Sequence, residues 1–315
     1  MSTLRCLGLD TSNYTTSVAI FDGTSGTNAG RLLEVEEGSL GLRQSDALFQ
    51  HVKRLPALFA ALREQGELHD IAAVAASTRP RAVEGSYMPC FLAGEGQGRA
   101  LADTLGVPFY AVSHQQGHLA AAAWSAGRME LLDKPFLAWH LSGGTTELLH
   151  VTPDGVNVHA EKLGGTSDIS AGQLIDRTGV LLGIPFPAGK GLDALAAASE
   201  SKERFPVRLN GLTFSLSGME NKSRAMAEQG REGADIARFV LNTVSDVVRR
   251  ATLEAQKAYP GLPVLCSGGV ASNRILRDVM TRACQAAFAE PRYSTDNAMG
   301  VAILAHRLRN GGDAP

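Results

Sequence analysis

The chain has 315 residues, 44% hydrophobic and 20% charged, which is enough apolar material for a full core and, at this length, about two domains. A net charge of −2 excludes a strongly basic, self-sufficient nucleic-acid binder, so any such binding has to use local patches or a partner protein. No apolar run reaches the roughly 18 residues that span a membrane, and the opening "MSTLRCLGLDTS" lacks the apolar stretch of a secretion signal; the four cysteines form no CxxC pair, which fits the reduced thiols of a cytoplasmic protein.

In chain order, "LRCLGLDTSNYTTSVAIFDGTSG" reads as strand, polar turn, strand and turn. Residues 45–66 are periodic and helical, with Pro56 expected to kink them. "DIAAVAAS" is a buried strand, "GEGQGRALADTLG" a helix opened by its glycines, and "VPFYAVS" a short strand that leads into a helix beginning "HQQGH". "FLAWHLSGGTTELLHVTPDG" then repeats the opening pattern about 130 residues later, an echo that predicts a duplicated fold. "SAGQLIDRTGVLLG" and "ADIARFVLNTVSDVVRRATLEAQKAY" are amphipathic helices, and "PVLCSGGVASNRILRDVMTRAC" is strand, Gly-rich turn and helix. The expectation is an α/β chain with an N-terminal lobe over residues 1–125, a C-terminal lobe over 126–295, and a closing helix over 296–315 that packs back near the cleft and the first lobe.

Three strand-to-turn junctions carry phosphate-loop chemistry. The hydroxyls of Thr11, Ser12, Thr15 and Thr16 can donate to phosphate oxygens, Ser142, Gly143 and Gly144 open the backbone to an anion, and "CSGGVASNR" runs into a helix N-terminus. Each alone is an ordinary Gly- and Ser-rich turn; three together favour a nucleotide site. There is no GxxxxGK[ST] loop and no strand-anchored GxGxxG, which leaves a two-lobed sheet fold with phosphate hairpins in both lobes, as in the actin-like ATPases.

His114 and His118, four residues apart, share one helix face with Cβ atoms roughly 5–6 Å apart, close enough for both imidazoles to reach one metal. With eight histidines in the chain, such a pair arises by chance roughly once in five or six sequences of this kind. A zinc peptidase needs Glu where Gln115 stands, and a glutamine is no general base at neutral pH. In "YSTDNAMGVAILAHRL" Asp296 offers a third ligand, while Ser294, Thr295 or Asp296 as a helix N-cap is the competing reading. Two imidazoles and a carboxylate would suit Fe or Zn with open positions for substrate.

Taken in order, "LGLDTSNYTTSVAIFD", "VSHQQGHLAA", "LSGGTTELLHV", "LGGTSDISAGQLIDRTGVLLGIPFPAG", "FSLSGMENK", "SGGVASNRILR" and "STDNAMGVAI" resemble the motifs of the universal tRNA threonylcarbamoyladenosine synthase family, TsaD in bacteria, formerly grouped with the M22 peptidases. The resemblance covers nearly the whole chain. It implies a duplicated two-lobed actin-like (ASKHA) fold with the ligand cleft between the lobes. It implies one divalent metal, Fe or Zn, on His114, His118 and Asp296. It implies adenylate contacts from Leu141, Ser142, Gly143, Gly144, Thr145, Asp176, Gly189 and Asn273. The implied reaction moves the threonylcarbamoyl group of threonylcarbamoyl-adenylate to N6 of adenosine 37 in tRNAs reading ANN codons, alongside a TsaB-like scaffold protein and a TsaE-like ATPase.

The chain departs from the family pattern at several points. "SNYTTS" lacks the family's acids, the SGGHT histidine is Thr145, and Gly165, Ile169 and Gln173 replace acidic residues, so lost charge near a metal bears on its affinity and orientation. The alternatives are a non-catalytic paralogue that supports an orthodox synthase, or a carbamoyl transferase acting on another substrate. Peptidase activity is disfavoured, since Ser215 and Ser217 of "FSLSG" lack a nucleophile elbow. Arg79, Arg81, Lys190, Arg208, Lys222 and Arg224 lie near the loops and read first as solvated surface, second as phosphate contacts.

Overall fold

The computed structural model describes residues 4–12, 14–35 and 42–311, so Asn13 of the opening turn and the last four residues of the closing segment lie outside it. In chain order the elements are β1 (Arg5–Asp10), β2 (Thr15–Phe21), β3 (Gly26–Leu32), α1 (Gln44–Glu64), β4 (Ile71–Arg79), α2 (Phe91–Leu105), β5 (Phe109–Ser113), α3 (His114–Ser125), β6 (Phe136–Leu141), β7 (Thr146–Asp154) and β8 (Asn157–Thr166). They continue with α4 (Ala171–Leu181), α5 (Gly189–Ala196), β9 (Leu209–Asn210), β10 (Thr213–Phe214), α6 (Ser217–Glu228), α7 (Gly233–Ala258), β11 (Val264–Ser267), α8 (Arg274–Cys284), β12 (Ala287–Phe288) and α9 (Met299–Gly311). Two compact units result: Met1–Lys134 with Thr152–Ala160 and Asp296–Pro315, and Pro135–Val151 with Glu161–Thr295.

The first unit is a five-stranded sheet in the order β3-β2-β1-β4-β5. β1 to β3 form an antiparallel meander, and β4 and β5 add parallel strands through helical crossovers. Side chains alternate across a strand, so Leu7 and Leu9 of β1, with Val18 and Ile20 of β2, bury against Leu55, Leu58 and Leu62 of α1 and Ala93 and Ala102 of α2. The residues between them face α9: a Cβ on Gly8 would stand 2.4 Å from the Ala302 nitrogen. Val301 to Ala305 of α9 are fully buried.

One reading is corrected here: the glycines do not open α2. α2 begins at Phe91, before the glycines, because buried Phe91 and Ala93 continue the apolar face and Thr11 Oγ1 accepts the Gly94 N–H in its first turn. Gly94 and Gly98 lie inside α2 where it crosses close to its neighbours, a Cβ at each meeting Thr11 Oγ1 and Phe109 Cε2 at 2.9 Å. α1 is one continuous helix through Pro56, which sits on its exposed face.

The second unit repeats the order. Within its seven-stranded sheet β12-β11-β6-β7-β8-β10-β9, the run β8-β7-β6-β11-β12 matches β3-β2-β1-β4-β5 strand for strand. β6 and β7 are antiparallel, and β6, β11 and β12 are parallel. The duplication inferred from two look-alike hairpins is thus a repeated topology. Its core gathers Trp139, Leu148, Leu174, Phe214, Val240, Val244, Val247 and Leu276. Fully buried Trp139 places its Nε1–H on Thr252 Oγ1 at 2.8 Å, so the one polar group of that ring is satisfied. Among the described residues no helix is long and apolar enough to cross a membrane, and the four cysteines are free and buried.

Candidate metal centre and Gly-rich loops

β5 ends at Ser113, whose extended backbone and hydroxyl start α3. Ser113 Oγ accepts the Gln116 N–H at 3.2 Å, and Gln116 Oε1 accepts the Ser113 N–H at 2.9 Å, a complete capping box. This box sets His114 as the first helical residue, with His118 one turn later and the two rings 4.2 Å apart, edge to face. Gln116 also donates through Nε2 to Val158 O at 2.8 Å.

The intervening glycine has a packing reason. α9 crosses α3 so closely that a Cβ on Gly300 would lie 1.7 Å from Gly117 O, and one on Gly117 would lie 3.2 Å from Val301 Cγ2. The turn before α9 is pinned as well: the Ala298 N–H donates to Ser17 Oγ at 2.8 Å and Asn28 Oδ1 at 3.1 Å, and Asn297 Oδ1 takes the Met299 N–H at 3.1 Å. The helix therefore opens at Met299, beyond Ser294, Thr295 and Asp296.

His118 Nε2 stands 3.3 Å from Asp296 Oδ1 and His114 Nε2 3.6 Å from it, with the three donors within 4.8 Å of one another. Those separations exceed the 2.7–3.2 Å of a good hydrogen bond. Two ligands about 2.1 Å from one tetrahedral ion stand about 3.4 Å apart. The spacing fits donors arranged around an ion better than donors bonded to each other.

One member of this cluster went unnoticed in the sequence. Asp10, 1% exposed at the end of β1, presents Oδ2 to His114 Nδ1 at 2.8 Å while Oδ1 accepts the Ser12 N–H at 2.9 Å. Alternation along β1 puts Asp10 on the Gly8 face, the one covered by α9, so it points where Leu9 cannot. Burial alone disfavours the imidazolium of His114, but the charge and hydrogen bond of Asp10, with Asp296 beyond, reverse this and push it up to about 9. Two of the four first-turn hydroxyls are otherwise employed: Thr11 Oγ1 donates to Cys90 O at 3.0 Å and accepts the Gly94 N–H at 3.1 Å, and Thr16 Oγ1 bonds His51 Nδ1 at 2.8 Å. Both threonines are fully buried, which overturns their reading as phosphate donors.

In the second unit the loop after β6 is a tight turn. Ser142 N–H donates to Thr145 O at 2.8 Å, Ser142 Oγ accepts the Thr145 N–H at 3.1 Å, and Ser170 Oγ donates to Gly143 O at 2.6 Å. Leu141 is buried, whereas Gly143 and Gly144 are exposed and a Cβ on either would meet nothing. Asp176 Oδ1 accepts the Ala188 N–H at 2.8 Å, one residue before Gly189 opens α5. Asn273 caps α8 by accepting the Leu276 N–H at 3.0 Å and donates to Asp193 Oδ1 at 2.7 Å. Gly268, at φ +95°, lets the β11 turn pass Leu141, whose O would be 2.2 Å from a Cβ there. These contacts string the residues along the ends of β6 and β11 and the starts of α4, α5 and α8.

The departures have local causes. Gly165 holds φ +129°, and a Cβ would lie 2.1 Å from Thr146 O, so this backbone admits no side chain there. Gln173 completes a capping box with Ser170, the job a glutamate does equally well. Ile169 packs on the core. Ser215 Oγ donates to Asp168 Oδ2 at 2.5 Å and the Leu216 N–H to Oδ1 at 2.8 Å; against the cost of burial, these bonds and those of Ser217 hold the Asp168 carboxyl far below the usual range. The "FSLSG" serines are thus ligands of a carboxylate at the start of α6. Of the basic residues, Lys222 lies over the Phe205 ring and Arg224 pairs with Glu220.

The model of the TsaD family, tRNA N6-adenosine threonylcarbamoyltransferase, matches residues 41–303. Relatives of that same name from two strains of Thermus thermophilus are each 34% identical over 323 and 317 residues, covering 100% and 98% of this chain and 95% and 94% of theirs. Among solved structures, full-length HypF in a phosphate- and nucleotide-bound form is similar over 98% of this chain and 56% of its own, with TM-score 0.64 at 15% identity. Component A of the (R)-2-hydroxyglutaryl-CoA dehydratase of Acidaminococcus fermentans is similar over 97% and 99%, with TM-score 0.54 at 15% identity. At such identity the likeness shows the fold alone, a two-lobed α/β architecture of the actin-like class.

Proposed function

Because the chain belongs to the TsaD family of tRNA N6-adenosine threonylcarbamoyltransferases, we propose that it transfers the threonylcarbamoyl group of threonylcarbamoyl-adenylate to N6 of adenosine 37 in ANN-decoding tRNAs, with a divalent metal on His114, His118 and Asp296. The supporting observation is the meeting of three donor atoms at separations that suit one ion. Two imidazoles and a carboxylate on adjoining elements fit Fe(II) or Zn(II) with coordination positions left over. When bound, such an ion supplies Lewis-acid polarisation of an acyl or phosphoryl oxygen.

The rest falls to the protein. Exposed Gly143 and Gly144 offer backbone N–H groups to the adenylate phosphate, with Leu141, Ser142 and Thr145 fixing that loop. Gly189 lets the nucleoside approach the start of α5, and Asp176 and Asn273, whose side chains already bond within the chain, hold the rim in shape. In the transfer the new bond joins tRNA N6 to the carbamoyl carbon, the bond from that carbon to the adenylate oxygen breaks, and AMP and the displaced N6 proton are released. Positioning the two substrates supplies much of the rate. A TsaB-like scaffold, a TsaE-like ATPase and a cytoplasmic setting belong to the same reading.

The test is the threonylcarbamoyladenosine content of total tRNA, measured by mass spectrometry of nucleosides after depletion of this chain in its own host. Collapse of the modification supports the reading. An unchanged level moves the chain to the paralogue class, acting on another substrate or supporting a second copy.

A further inference from the structure

We propose that Asp10 is a positioning residue of the metal centre, fixing His114 with its proton on Nδ1 so that Nε2 is presented as a ligand. This rests on the metal reading above. The geometry behind it is specific. His114 Nδ1 meets Asp10 Oδ2 at 2.8 Å, and the opposite ring nitrogen faces Asp296 Oδ1 at 3.6 Å, beside His118 Nε2. An imidazole that donates from Nδ1 to a carboxylate has one lone pair left, and it lies on Nε2.

Asp10 is itself held. Oδ1 takes the Ser12 N–H at 2.9 Å, so the carboxylate cannot rotate away without leaving a buried oxygen unpaired. The following turn is locked in its place: Thr11 Oγ1 is bonded to Cys90 O and the Gly94 N–H, and Cys90 Sγ donates to Ser12 O at 3.0 Å. Two oxygens with two assigned partners, at the C-terminal end of a central strand, form a rigid mount for one ring. The carboxylate also raises the donor strength of the imidazole it holds, which a neutral amide of the same shape does not.

Full-length protein stripped of metal, titrated with Zn(II) against a chromophoric chelator and with Co(II) by visible absorption, tests this in the parent and in Asp10→Asn. The expected result is a 10- to 100-fold loss of Zn(II) affinity in Asp10→Asn and a shifted, weakened Co(II) band, with the metal-free variant still melting cooperatively. Parental affinity within threefold and an unchanged Co(II) band would overturn the role of Asp10. Failure of the parent to bind either ion would overturn the metal reading itself, and the two failures are distinct. A second measurement needs no variant. In uniformly 15N-labelled, zinc-loaded parent, a slowly exchanging proton on His114 Nδ1 is expected, and its absence would refute the proposal even if Asp10→Asn does not fold.

Discussion

His114 joins two chemistries through its two nitrogens, and the metal-free protein should show it. Its folded pKa is raised above the ordinary value near 6.5, so its contribution to stability is fully present below about pH 6.5 and is lost as pH climbs through about 9. The stake is about 3 kcal/mol. Thermal melts of metal-free protein from pH 6 to 9.5 should fall across that window and flatten in Asp10→Asn; an unchanged slope would show that the charge of Asp10 is not what protonates the ring. The histidine pair was legible in the sequence because both members sit on one helix four residues apart, where spacing alone fixes geometry. Asp10 was not, since it lies 104 residues away inside an apolar strand and meets His114 only through the parallel register of β1, β4 and β5.

At the scale of elements, the meeting of His114, His118 and Asp296 depends on how closely α3 and α9 cross. Gly300→Ala would place a methyl against the Gly117 carbonyl, a backbone group that cannot swing aside, and should cost at least about 3 kcal/mol in urea denaturation while weakening metal binding in step. A parental midpoint would mean the crossing has slack. A contrasting pair tests the departures from the family. Gly165→Glu restores an acid yet forces a side chain into positive φ against Thr146, with an expected loss of roughly 1–3 kcal/mol or more. Gln173→Glu should stay within about 0.5 kcal/mol, because either side chain closes the Ser170 capping box. Equal stability of the two variants would sink this account.

Element boundaries were readable where chemistry announces them, as at Ser113 and Ser170, whose capping partners follow three residues later. They were obscured where glycine marks a close approach inside a helix, as in α2, or where a strand carries little apolar alternation, as in β3 with "GTNAGRL".

The whole molecule repeats one strand order in two units, and that much was readable from two similar hairpins. The sequence predicts that the closing helix packs back near the first lobe, but not that Thr152–Ala160 also belongs to the first unit, because a strand end carries no local mark of the unit it joins. Removing residues 296–315 should therefore cost more than a tail. Without Val301 to Ala305 the α9 face of the first sheet is bare, and circular dichroism with limited proteolysis should show that unit unfolded while the second remains resistant. A truncated chain with both units protected would contradict the assignment of α9 to the first core.

Asp296 and α9 also set a clock. Synthesis runs from the N-terminus, so Asp10, His114 and His118 leave the ribosome long before the residue that completes their cluster and the helix that closes their sheet. A chain stopped before Asp296 would carry two of the three donors and an unsealed sheet. If these residues hold a metal, its loading should therefore wait until Asp296 and α9 have left the ribosome.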